Sequence, residues 1–106
     1  MIAILLLLAL AGQRTWPDVP LEKLAEWKRP RACVVGPVVY VRKQQDGDVH
    51  ISLDNGRAKV VVEIVPLIPL PVPKKGDRIK ACGVVRYDRL HRWDEIHPAE
   101  RIQVLK

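Results

Sequence analysis

From Ala32 onward, short apolar runs alternate with polar positions and are separated by turn-forming residues. Val49, Ile51 and Leu53 alternate with His50 and Ser52, a period of two that predicts a half-buried strand over 48–54. Asp46-Gly47 before it and Asn55-Gly56 after it are hairpin signals, so the runs 32–43, 48–54 and 58–65 form a three-stranded meander. Gly36-Pro37 lies inside the first run. Proline has no N–H to give to a ladder, so that strand must bend or bulge there.

Four prolines, at 66, 69, 71 and 73, then forbid both a helix interior and a central strand. The segment is predicted to be an extended connector with Leu67, Ile68, Leu70 and Val72 turned inward. Lys74-Lys75-Gly76-Asp77 turns into a fourth strand over 78–87, and a fifth runs over 93–105 after the loop 88–92, with Pro98 breaking it in two. Fifteen valines and no phenylalanine suit five pleated strands.

The segment before Ala32 has a different texture. Residues 1–11 carry no charged side chain and are too short to span a bilayer, which takes about 20 apolar residues. Ala9 and Ala11 give a small-x-small cleavage pattern ahead of polar Gln13 and Arg14, so 1–11 reads as a secretory signal, with the mature chain beginning near Gly12. A basic n-region is missing, and a buried apolar helix stays open as the alternative. Residues 12–30 form a polar lead-in with one short helix: Asp18 can cap it, Pro20 fits its first turn, and Leu21, Leu24 and Trp27 share a face.

At 106 residues, 48% apolar and 28% charged, the chain is one small domain of 12–30 lead-in and 31–106 barrel, too small for an interdomain catalytic cleft. Its formal charge of +6 makes polyanions the first partners to consider.

Three meander strands, a crossover and two more strands, with a glycine-bent first strand, resemble the OB-fold, a five-stranded Greek-key barrel. The resemblance covers Arg31 to Lys106. It rests on Cys33-Val-Val-Gly36, the Gly76-Asp-Arg-Ile-Lys-Ala-Cys-Gly-Val-Val85 run and the closing Arg101-Ile-Gln-Val-Leu105, and Trp93-Asp-Glu-Ile-His-Pro98 looks like the tail of small exported bacterial OB-type domains of uncharacterised function. The proline-rich connector stands where that family has a helix, and stacking aromatics are few. An SH3-like barrel, the main rival, would need a shorter connector. The OB-type topology implies that strands one and four are antiparallel neighbours, which sets Cys33 beside Cys82; an exported chain would bridge them, and two free buried cysteines are the alternative.

Enzymatic chemistry finds no support in the sequence. Ser52 is the only serine and Thr15 the only threonine, neither sits in a nucleophile elbow, and no glycine-rich phosphate loop occurs. His91 and His97 with Asp94 and Glu95 have no HxH or HxxxH spacing, so no metal site and no cofactor is expected, and His97 reads as a structural residue holding Ile96 inward. What remains is a basic face. The resemblance implies a site flanked by the loops 44–47 and 88–92, where Tyr40, Arg42, Arg86, Tyr87, Arg89, Arg92 and Trp93 are expected to lie close together. Cations that follow phosphates and rings that stack on bases suit a single-stranded nucleic acid or another polyanion. A protein-interaction or envelope structural domain is the alternative, and no stable membrane span is expected once the signal is removed.

Overall fold

The computed structural model describes residues 16–106. The signal reading of 1–11 lies outside them, and among the described residues no helix is long and apolar enough to cross a membrane. Five strands, β1 (Arg31–Lys43), β2 (Val49–Asp54), β3 (Lys59–Ile64), β4 (Arg78–Asp88) and β5 (Trp93–Leu105), close into a barrel in the order β1-β2-β3-β5-β4. All pairings are antiparallel except β3 with β5. The connector occupies 65–77, and β4 pairs with β1 and β5 rather than with β3, so the SH3-like alternative is excluded.

The core follows the predicted alternation. Val34, Val38, Ile51, Leu53, Val60, Val62, Ile79 and Ile96 fill the barrel at 2% exposure or less. Both hairpins carry side-chain caps: Asp46 Oδ1 accepts from the Asp48 N–H, and Asn55 Oδ1 accepts from Arg57 and Ala58. Gly47 and Gly56 sit at φ +94° and +84°, the left-handed backbone that glycine adopts without a steric cost.

Four expectations are corrected. The lead-in helix is a single 3₁₀ segment, Leu21–Glu26, with Pro20 rather than Asp18 at its N-cap. Its apolar spacing of three suits 3₁₀ geometry, which places every third side chain on one line. Strand one bulges between Val38 and Tyr40, just after Gly36-Pro37: residues 31–37 pair with β4, and from Val38 on the strand pairs with β2. Strand five does not break at Pro98. The cis His97–Pro98 step is absorbed by register shifts on either side of Gly83. In the connector, Leu67 is 93% and Val72 53% exposed, while Leu70 packs against the core. Leu67 sits in a turn closed by the Ile68 N–H, which donates to Val65 O at 3.1 Å, so the connector does not run extended along the barrel there.

Cys33 and Cys82 are directly opposed across β1 and β4 and form a disulfide, with Cα atoms 4.0 Å apart. Ala32 and Val34 point into the barrel, so both sulfurs sit on its outer wall. Cys33 and Cys82 are nevertheless 2% and 0% exposed. The lead-in makes the cover: the Cys33 N–H donates to Pro17 O and the Val19 N–H to Cys33 O, both at 2.8 Å.

Candidate functional site

The strand registers lay out two rows of side chains on the outer wall. One runs Tyr40, Ser52, Val61, Glu95, Arg86 across all five strands. The other runs Arg42, His50, Glu63 across β1 to β3 and continues to His97, two residues beyond Glu95 on β5. A groove of about 350 Å³ opens over the β1–β3 part and is lined by Tyr40, Arg42, His50, Lys59, His91 and Trp93 among others.

The loop after β4 is built around Asp88. Its Oδ1 accepts from the Leu90 and His91 N–H groups, and its Oδ2 lies 2.8 Å from His91 Nδ1. The His91 side-chain hydrogen bond holds the Asp88 carboxyl below its usual range. His91 is thereby laid flat on Trp93, with ring centroids 4.5 Å apart, while Lys59 Nζ stands 5.5 Å from the Trp93 ring centre. Tyr40, at 54% exposure, offers the freer ring of the groove.

The expected cluster is therefore only partly assembled. Tyr40, Arg42 and Trp93 line one groove, and Arg86, Tyr87, Arg89 and Arg92 do not. The reason is the antiparallel register: Arg31 faces Val84 and Pro37 faces Arg78, so Tyr40 and Arg42 lie beyond the start of β4 and pair with Ser52 and His50, while Arg86 and Tyr87, at its far end, pair with Glu95 and Asp94. Arg86 and Tyr40 stand at the two ends of the row, four strand steps apart around the barrel. Arg89 and Arg92 sit in the exposed loop, with Arg92 at φ +58°.

Beneath the face lies a buried polar cluster that sequence reading missed. Glu63 and Glu95 are 6% and 3% exposed. His50 Nε2 is 2.6 Å from Glu63 Oε1, His97 Nδ1 is 3.0 Å from Glu63 Oε2 and 3.5 Å from Glu95 Oε1, and Trp93 Nε1 donates to Glu95 Oε2 at 3.0 Å. Burial, with Glu95 beside it, pushes the Glu63 carboxyl up to about 8. Burial also holds His50 below its ordinary value. His97 keeps its structural place below a fully buried Ile96, but its partner is Glu63 rather than His91 or Asp94. One signal was available: the Asn55-Gly56 turn pairs Asp54 with Lys59, and counting back along that hairpin sets His50 opposite Glu63.

No protein-family model matches the chain, and no curated protein matches it. Solved structures do. The crystal structure of yeast Stn1 and Ten1 superposes with a TM-score of 0.63 at 10% identity over 87% of this chain, which spans 64% of that one. The hypothetical protein YgiW from E. coli superposes at 0.60 with 16% identity, over 88% of this chain and all of that one. With the closed five-stranded barrel, these likenesses decide the fold. The chain is an OB-fold domain. The face carrying the groove is the one that OB-folds use for oligomeric ligands, flanked here by the loops 44–48 and 89–92.

Proposed function

We propose that this domain is an exported binding module that lays a single-stranded nucleic acid across the outer face of β1–β3. The observation that carries the reading is the convergence of Arg42 and Lys59 with an exposed Tyr40 and the His91–Trp93 stack around one groove. Two cations spaced along a groove suit successive phosphates, and a free ring suits an unpaired base. The formal +6 draws a polyanion toward the surface. The disulfide supports export, because such bonds persist in oxidising compartments. Catalysis is not part of this reading, since among the described residues Ser52 makes no side-chain hydrogen bond to a groove histidine.

A thymidine oligomer titrated across a salt series tests the reading. Affinity should fall steeply with salt, and Arg42→Ala and Lys59→Ala should each flatten the slope by about one phosphate contact. Tyr40→Ala should cost about 1–3 kcal/mol against single strands and less against duplex. An absence of binding at low salt would overturn the proposal in favour of a protein partner, for which Leu90 (85% exposed) and Tyr87 (58% exposed) are the apolar anchors. Mass spectrometry of the exported protein should find a chain beginning near Gly12.

A further inference from the structure

The second observation on this wall concerns a cation rather than a polyanion. Asp48, which leads into β2, Glu63 on β3 and His97 on β5 each present one ligand atom, and the three atoms lie within 4.8 Å of one another. An acidic cluster alone would mean little, but Glu63 is 94% buried and its Oε2 makes no hydrogen bond among the described residues. The nearest polar atom explains why. His97 Nδ1 is 3.0 Å from Glu63 Oε2, yet Arg86 Nη1 sits 3.5 Å from the same nitrogen. Where Nδ1 accepts from Arg86 it has no proton to give to Oε2, and the two face each other as acceptors. A buried oxygen and a half-buried nitrogen in that relation leave a place between them for a positive centre, a proton or a metal ion.

We propose that Asp48, Glu63 and His97 form a binding site for one divalent transition-metal ion, with Zn²⁺ the best match. An imidazole nitrogen with two carboxylate oxygens is a borderline donor set that suits zinc; calcium asks for six to eight oxygens, and magnesium avoids imidazole. Tetrahedral zinc with bonds of about 2.0–2.1 Å sets its ligands roughly 3.3 Å apart, close to the Glu63–His97 spacing. Glu63 is also oriented for ligation, since His50 Nε2 engages its other oxygen at 2.6 Å, the kind of outer partner that fixes a ligating carboxylate. Glu95, 3.5 Å from His97 Nδ1, adds a further negative charge beside the site. Arg86 is exposed and its cation stands 3.5 Å from that nitrogen, so the metal must displace it.

Calorimetric titration of chelator-stripped protein with Zn²⁺, and the visible absorption of Co²⁺ added in its place, tests the proposal without any nucleic acid present. One equivalent should bind, with a tetrahedral cobalt spectrum. Glu63→Gln, His97→Ala and Asp48→Asn should each weaken binding by about tenfold or more while circular dichroism shows the barrel intact. Arg86→Ala should tighten binding several-fold, a gain that misfolding cannot imitate. Glu26→Gln, which removes the exposed Lys23–Glu26 pair of the lead-in, should leave affinity unchanged. Failure of Zn²⁺ to saturate the protein, or survival of full affinity in Glu63→Gln and His97→Ala, would overturn it. Weaker binding in Arg86→Ala would do the same.

Discussion

Two stretches of the barrel's outer wall are buried by opposite means. Where β1 meets β4, the outward positions are Cys33 and Cys82, joined covalently and covered by the lead-in, whose Trp16 stands about 6 Å from the guanidinium groups of Arg31 and Arg101. Where β3 meets β5, the outward positions are Glu63, Glu95 and His97, which no other segment of the described chain covers with backbone pairing. Apolar sulfur needs only to be shielded from water. A buried carboxylate needs a partner, because leaving a charged group unsatisfied costs several times what a neutral contact returns. The first wall is thus a structural seal, and the second holds a carboxyl that must keep its proton or find a positive partner.

The largest expected effect tests the seal. Replacing both cysteines with alanine frees a loop of 49 residues, and the chain-entropy model assigns that closure about 4 kcal/mol. Urea unfolding of the double variant should show a loss near this size. A loss under about 1 kcal/mol would mean that the lead-in seals the wall unaided.

A smaller loss, steric rather than entropic in origin, is expected at Gly83, beside the disulfide on β4. A Cβ there would run into the Pro98 carbonyl oxygen and come within 2.7 Å of Ile96 Cγ2. Backbone cannot step aside cheaply, so Gly83→Ala should cost about 2–3 kcal/mol. At Gly36 the obstruction is Leu21 Cδ1, 2.8 Å from where the added methyl would sit and at the end of a flexible side chain, so Gly36→Ala should cost roughly 1 kcal/mol. Equal costs at the two sites would show that the lead-in helix is as rigidly seated as the β4–β5 ladder.

How much of this contrast could be read in advance differs between the two walls. The seal was legible: the glycine-bent strand and the OB-type strand order placed Cys33 against Cys82, and the register confirms it. Turn residues also set the strand limits closely, because Asp-Gly and Asn-Gly dictate hairpin geometry locally. The polar cluster was not legible. His50 and Glu63 come together through a local hairpin, but His97 joins them only through the parallel β3–β5 pairing, which depends on closure of the whole barrel. The bulge at Val38–Tyr40 was likewise a one-residue matter, and it decided that Tyr40 and Arg42 point outward although Val34 and Val38, of the same parity, point in.

The sharpest test of the second wall, read as a slope against pH rather than as a loss, belongs to Glu63→Gln in chelator-treated protein. The Glu63 carboxyl is raised from an ordinary 4.5 to about 8 by burial and by Glu95, so between those values the folded chain keeps a proton that the unfolded chain has lost. Stability from this group is therefore full below about pH 4.5, declines as pH rises and levels off above about 8. His50, facing Glu63 from β2, works in the opposite sense: burial depresses it, so its contribution grows with pH up to about 6.5 and is constant beyond. Glu95 and His97 face Glu63 from β5 and Asp48 lies beside it, and all remain in the variant. Between pH 7 and 8.5 the slope thus isolates Glu63. The wild type should lose stability across that window while Glu63→Gln, which imitates the protonated acid, stays flat and is already the more stable of the two at pH 7. A wild-type profile that is already flat from pH 7 to 8.5 would show that Glu63 ionises freely and that the wall meets its charge with His50 and His97 alone.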